Sequence, residues 1–233
     1  RVVVVGAGPA GACLALLLAR AGVAVTLVEA STSLQRQFRG EALMPSGLEA
    51  LAAMGLSHLL AALPQRPLQG WRFVVNGRHL FTAREPLGGD PQRPCTLVSQ
   101  PALLEALLAQ ASTSPSFALE RGQPVVDLLW RNGRVAGVQL RGGRQLPADL
   151  VIGGDGRSSL LRQKAALELV GAPSAIDLLW FQLAAPEPTP LDGCFTTLVG
   201  DAGVFSAFES AAGGLQIGWV LKKEAPLPTL ASD

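Results

Sequence analysis

Residues 1–29 read RVVVVGAGPAGACLALLLARAGVAVTLVE. A valine strand, Val2–Val5, runs into Gly6-x-Gly8-x-x-Gly11; an alanine/leucine helix follows, then a second strand that ends on Glu29. Each part has a task in dinucleotide binding. Gly6 permits the tight turn out of the first strand. Gly8 lacks a side chain, so a pyrophosphate can approach the backbone at the positive end of the helix, and Gly11 lets that helix lie close to the sheet. Glu29 stands about 20 residues past the glycines, where a carboxylate accepts hydrogen bonds from ribose hydroxyls. Three spaced glycines alone carry little; strand, helix, strand and acid around them make the signal specific.

The same run competes with a leader peptide or a membrane span, because Arg1 precedes roughly twenty mostly apolar residues. The glycines and Pro9 break the run in its first third, the valines favour a strand, and Arg20 interrupts the apolar series. A span would need an unbroken helix through Gly6 to Gly11. We therefore expect no membrane span.

The 233 residues are 48% hydrophobic and only 16% charged, enough for one large or two small domains with a real core. The net charge of +1, with no basic run, points away from nucleic acid and anionic membranes. Cys13, Cys95 and Cys194 are odd in number and widely spaced, which suits a reducing, cytoplasmic setting and makes no metal pattern. Cys13 reads as a small packing residue of the first helix. With two histidines, His58 and His79, and no tyrosine, acid–base candidates are few. The chain starts inside a strand and ends on a loop-like APLPTLASD, so it reads as a piece of a longer one.

After Glu29 the polar stretch STSLQRQFRGE reads as a loop. Ser46 with Glu49 forms a capping-box pattern ahead of a helical run over 47–62 that is interrupted at Gly55. Asn76-Gly77 predicts a hairpin turn within 71–83, followed by a Pro/Gly-rich loop over 84–94. Residues 100–112 read as an amphipathic helix with Leu103, Leu104, Leu107 and Leu108 on one face. A run of strands over 117–153 turns at Asn132-Gly133 and Gly142-Gly143 and reads as an inserted β-meander. From about 173 the chain becomes proline-rich with four strand-like runs. The expected fold class is α/β: a Rossmann-type domain with an inserted meander over 1–70 and 95–170, and a β-rich domain over 71–94 and 171–233.

Gly154-Asp155-Gly156, with Ser159 and Arg162 after it, is the second informative group. It follows a strand ending at Ile152, so Asp155 falls at the carboxyl end of a strand, where open α/β sheets bind ligands. The bland reading is an Asp/Gly turn with Ser158 or Ser159 capping the next helix.

With Gly6/Gly8/Gly11 and Glu29, the Arg39-Gly40-Glu41 loop, Gln100 at a helix start and the Gly154-Asp155-Gly156 group, the chain resembles the single-component FAD monooxygenases of the p-hydroxybenzoate hydroxylase fold. The resemblance covers nearly the whole chain. It implies FAD as cofactor, NADPH or NADH as reductant, dioxygen as co-substrate, and hydroxylation of an aromatic or other apolar small molecule through a C4a-hydroperoxyflavin. By resemblance, Glu29 holds the adenosine ribose, Arg39 contacts the FAD phosphates or ribityl region, and Gln100 reaches the cofactor from its helix start. Val125 offers backbone to adenine, and Asp155 sits in a motif associated with both FAD and NADPH. Pro9, Ala10, Ala30 and Gly156 complete the expected cofactor-binding set. From the residues alone, Arg36 is an alternative to Arg39, and Gln100 before Pro101 also serves simply as a helix start. No catalytic base is assigned, and a homodimer is left open.

Gly200-Asp201-Ala202 reproduces the start of the family's third motif, but it arrives too early and runs on as GVFSAFES. We read Asp201-Ala202-Gly203 as a hairpin turn, with the third motif expected beyond residue 233. The β-rich domain is expected to cover the flavin ring, with Trp71, Phe73, Trp180, Phe181, Phe205, Phe208 and Trp219 on its strands. His79 reads as a solvent-facing strand residue and His58 as structural. Three other readings remain: a reductase or dehydrogenase of the same fold, such as those that saturate isoprenoid chains; a halogenase, although the Trp-x-Trp-x-Ile-Pro signature is absent; and a truncated, non-catalytic nucleotide binder.

Overall fold

The computed structural model describes residues 1–35, 41–87, 93–171, 174–184, 189 and 191–223. In chain order the elements begin with β1 (Val2–Val5), α1 (Pro9–Arg20), β2 (Val25–Glu29), β3 (Ala42–Leu43), α2 (Pro45–Ala53) and α3 (Ser57–Ala61). There follow β4 (Gln65–Pro67), β5 (Gly70–Val75), β6 (Arg78–Arg84), β7 (Thr96–Val98), α4 (Gln100–Ala111), β8 (Phe117–Arg121) and β9 (Val125–Arg131). The chain continues through β10 (Arg134–Leu140), β11 (Gln145–Pro147), β12 (Leu150–Gly153) and α5 (Leu160–Lys164). Last come β13 (Ile176–Leu183), β14 (Cys194–Gly200), β15 (Gly203–Glu209) and β16 (Leu215–Lys222).

Two compact units result, one from residues 1–37 and 100–170, the other from 38–99 and 171–233. Segments 38–70 and 95–99, which the sequence groups with the nucleotide-binding part, thus fall in the second unit. The reason is pairing: β3, β7 and β4 form a small antiparallel sheet of their own, with Ala42 opposite Leu97 and Arg66 opposite Leu97 on the other side.

The first unit is built on a parallel sheet of order β12-β1-β2-β8. The four valines of β1 are all buried, as a central parallel strand covered on both faces requires. On one face Val3, Val5 and Val28 meet Leu128, Val138, Leu140 and Leu161, so the antiparallel sheet β9–β11 lies where a crossover helix would otherwise sit. Helices α1 and α4 pack together, and Leu103, Leu104, Leu107 and Leu108 of α4 are buried as their spacing predicts. The meander is shorter than expected. β8 joins the parallel sheet beside β2, and RQLPADLVI splits into β11, which stays in the meander, and β12, which pairs with β1.

The second unit carries a six-stranded sheet of order β13-β16-β15-β14-β5-β6. The hairpin β5–β6 turns on Asn76 (φ 48°) and Gly77 (φ 74°), the two positive φ values that a type I′ turn demands. It belongs to this sheet because β5 pairs in parallel with β14, Cys194 opposite Gly70. Asp201 and Ala202 turn β14 into β15, with Gly200 opposite Gly203, so the early Gly-Asp-Ala is a hairpin turn. The structure also settles which aromatics share a face. Trp180, Phe208, Phe195 and Trp71 make a chain of ring contacts packed on Leu68, Cys95 and Leu97, whereas Phe205 stacks on Trp219 at the opposite face.

One local expectation fails. Helix α2 starts at Pro45 with Met44 as its cap and no side-chain capping bond, so Ser46 and Glu49 form no capping box. Proline at the first helical position, with its fixed φ and no N–H to satisfy, sets the start one residue earlier. The 47–62 run does break at Gly55, which has φ 69°. Among the described residues, no helix is long and apolar enough to cross a membrane.

Candidate nucleotide-binding site

The order β12-β1-β2-β8 fixes where a ligand can approach. From β1 the chain proceeds outward through β2 and β8, then returns to the other side of β1 as β12. The carboxyl end of β1 is therefore the topological switch point of the sheet, where adjacent loops part and leave a crevice. Val5 pairs with Gly153 there, so both glycine motifs emerge side by side.

They meet backbone to backbone. The Gly154 N–H donates to the Val5 carbonyl at 2.7 Å. A Cβ placed on Gly6, whose φ is 98°, would stand 2.4 Å from the Gly154 carbonyl oxygen, and one on Gly11 would stand 1.9 Å from the Gly6 oxygen. Gly8 is different: a Cβ there would meet nothing within 4 Å. Gly6 and Gly11 are thus required by packing, and Gly8 borders open space at the N-terminus of α1. Gly8 is the N-cap and Pro9 follows it; Pro9 and Ala10 are exposed. The first turn of a helix leaves N–H groups without intrahelical acceptors, and its dipole favours an anion.

Glu29 closes the site from the second strand. It is 5% exposed, and its two oxygens accept from the Ala7 and Ser31 N–H groups at 2.8 Å each. Two backbone donors offset part of the cost of burying the carboxylate. Ala30 beside it is exposed. The segment leading to Val125 runs along the same edge, since Gln123 N–H donates to the Glu29 carbonyl at 3.0 Å and Gly122 N–H to the Ser31 carbonyl at 3.2 Å. Val125 itself opens β9 opposite Leu140, half-buried against the valine core.

Asp155 is used differently from the expectation of a ligand-facing group. Its oxygens accept from Ser159 Oγ at 2.6 Å and from the Leu161 N–H at 3.1 Å, while Ser159 Oγ accepts from the Arg162 N–H at 3.0 Å. Asp155 and Ser159 together cap α5, so the bland reading of this turn describes the carboxylate. Gly156, with φ 87°, is exposed and has open space at its Cβ position. Gln100 is half-buried at the first position of α4. Arg39 lies outside the described residues, as do Arg36 and Gly40.

Two residues carry relationships that the sequence did not expose. Arg121, at the end of β8, stands in register with Glu29 and binds Glu105 of α4. Glu41, 8% exposed in the second unit, accepts from Ser210 Oγ and the Ala211 N–H at 3.0 Å each and so fastens the β15–β16 turn. Neither contact has a local signal, because both join residues far apart in the chain.

Among the described residues, the cysteines and histidines are placed as follows. Burial holds the Cys95 thiol up at about 11, with Glu85 adding to it, and burial also raises Cys13. His58 and His79 are exposed, and His79 Nε2 lies 2.9 Å from Thr82 Oγ1 on its own strand. Among the described residues, no cluster of His, Cys, Asp or Glu could hold a metal. The glycine turn at the switch point has the form of a nucleotide-binding site.

Comparison with known proteins agrees. The family described as FAD binding domain matches residues 1–204. A 6-methylpretetramide 4-monooxygenase of Streptomyces rimosus is 35% identical over 230 residues, which are 94% of this chain and 53% of that protein. The chain thus spans about half the length of this curated relative. Among solved structures, p-nitrophenol 4-monooxygenase from Pseudomonas putida matches 97% of this chain and 58% of its own, at TM-score 0.82 and 20% identity. A geranylgeranyl bacteriochlorophyll reductase-like protein from Thermoplasma acidophilum matches 95% and 56%, at TM-score 0.77 and 20% identity. The fold therefore serves proteins named for oxygenation and for reduction alike. With the match running over residues 1–204, this chain belongs to the FAD-binding domain family.

Proposed function

We propose that this protein is a FAD-dependent monooxygenase that hydroxylates an aromatic or other apolar small molecule with dioxygen and NADPH or NADH. The Glu29 carboxylate carries the reading. It is buried, pinned to the Ala7 N–H, and set at the switch point beside the open space over Gly8. Those residues fit the ADP half of FAD: Glu29 accepts the ribose hydroxyls, and the α1 N-terminus from Gly8 through Pro9, Ala10 and Gly11 receives the pyrophosphate. Val125 offers backbone to adenine, Ala30 and Gly156 border the nucleotide, Gln100 and Arg39 reach the cofactor, and Asp155 acts by holding the Gly154–Gly156 turn in place.

The chemistry supplied by bound FAD is transfer of electrons from the nicotinamide to dioxygen, with one oxygen atom delivered to the substrate and the other leaving as water. The polypeptide binds and orients. The six-stranded sheet supplies the apolar surface for the substrate. Three free cysteines fit a cytoplasmic setting.

The test is reconstitution of the purified protein with FAD. A flavin absorbance band with NADPH- or NADH-driven oxygen uptake and a hydroxylated product supports the reading. A band with reduction of an unsaturated substrate and no oxygen in the product favours the same-fold reductase. Absence of any band overturns both.

A further inference from the structure

The six-stranded sheet of the second unit ends in two edge strands, β6 and β13, each exposed along most of its length. An edge presents unpaired N–H and C=O groups to any strand that comes beside it, and folds guard such edges with charge, proline, short length or a bulge. The two edges differ in this respect. β6 carries Arg78, His79 and Arg84 and no acid, and its ladder with β5 is interrupted between Phe73 and Val74. Two copies of β6 paired antiparallel about Phe81 set Arg78 of each against Arg84 of the other, and like charges placed directly opposite repel.

β13 carries one charge, Asp177, and no other guard. Its sequence IDLLWFQL holds no proline, lysine or arginine, and it pairs with β16 in one unbroken register, from Ile176 opposite Lys222 to Leu183 opposite Leu215. Among the described residues no strand lies on its outer side. Apolar side chains are exposed on both of its faces: Ile176 and Leu178 by 50% and 48% on one, Leu179 and Leu183 by 44% and 47% on the other.

This pattern complements itself. Antiparallel strands related by a two-fold axis normal to the sheet set residues of the same face opposite one another. With the axis at Leu179, Leu178 meets Trp180 of the second copy and Asp177 meets its Phe181. With the axis at Trp180, Leu179 meets Phe181 and Asp177 meets Leu183. In both registers apolar side chains face one another near the axis, and the single charge never meets its own copy. An edge with one charge offers a strongly basic or acidic partner little to recognise, whereas a second copy matches it.

We propose that β13 is a self-association edge: two copies of this chain join β13 to β13 antiparallel and form one continuous sheet. The inference concerns assembly alone and is independent of what the nucleotide site binds.

The experiment is light scattering after gel filtration, with sedimentation equilibrium over a range of concentrations, on the protein and four variants. These are Leu179→Lys, Leu178→Lys, Leu179→Val and, on the other edge, Leu80→Lys. All three positions are exposed, so circular dichroism should stay that of the parent. The protein should show the mass of a dimer that dissociates on dilution. Either lysine on β13 should weaken association at least about tenfold, because an ammonium then stands among apolar groups close to its own copy. Leu179→Val and Leu80→Lys should leave association unchanged. A monomer at every concentration overturns the proposal. So does a dimer that both β13 lysines leave intact, a dimer that Leu80→Lys breaks as well, or a mass that climbs past the dimer with concentration, the sign of open head-to-tail pairing.

Discussion

The Glu29 carboxylate accepts a hydrogen bond of 2.8 Å from the backbone N–H of Ala7, so the acid ending the second strand fixes the turn that follows the first. Its other oxygen accepts from Ser31. An amide has only one acceptor oxygen, so in Glu29→Gln one of the two N–H groups faces an NH₂ group instead. We expect a loss of about 1–3 kcal/mol in denaturant unfolding, the cost of an orphaned buried donor. ADP affinity should fall by at least about tenfold in titration, because the ribose loses its ionised partner.

Gly6 and Gly8 separate packing from binding. Gly6→Ala drives a methyl to 2.4 Å from the Gly154 oxygen at φ 98°, and should destabilise by more than about 2 kcal/mol in thermal or chemical unfolding. Gly8→Ala, at φ −69° with open space, should cost no more than about 1 kcal/mol, the preference of an N-cap for glycine over alanine, yet weaken ADP binding, because the methyl stands where the pyrophosphate approaches. Equal loss of stability in both variants would contradict this division.

The Glu105–Arg121 pair sets a small acid sensitivity. Its hydrogen bonds to Arg121 hold the Glu105 carboxyl below its ordinary value of 4.5, so the contribution is complete above that pH and is lost as the pH falls through the depressed folded value. The side chains are part-exposed, so the advantage over Glu105→Gln at pH 7 should be under about 1 kcal/mol. Paired urea titrations at pH 7 and pH 3 should show the gap closing at the lower pH.

Gln216 is fully buried on β16, and both amide heteroatoms lack a partner among the described residues. It stands opposite Phe208 in the sheet. Replacing it with leucine removes two unsatisfied groups at nearly constant volume. The unfolding free energy should rise by about 1 kcal/mol or more, read from the urea midpoint at unchanged slope.

The sequence was legible where structure is decided locally. The Gly6–Gly11 turn, the Asn76-Gly77 hairpin and the leucine face of α4 each follow from a few neighbouring residues whose backbone or period admits one solution. Strands of two or three residues such as Ala42–Leu43 and Gln65–Pro67 show no period, and their sheet exists only through the distant Thr96–Val98. Pairing between such short, distant segments leaves no local pattern in the sequence. The candidate site was half legible. Glycines and Glu29 announce themselves by spacing, but Arg121 shows no sign of its closed fork until α4 brings Glu105 to it. Asp155 kept its place at the strand end and yet spends its carboxylate on α5.

The central claim, that Gly6 to Gly11 and Glu29 hold the ADP half of FAD, is tested most directly by competition. The protein is titrated with FAD, followed by flavin fluorescence, and the bound FAD is challenged separately with ADP and with riboflavin. The account predicts that ADP displaces FAD and that this displacement is lost in Glu29→Gln. Displacement by riboflavin but not by ADP would contradict it.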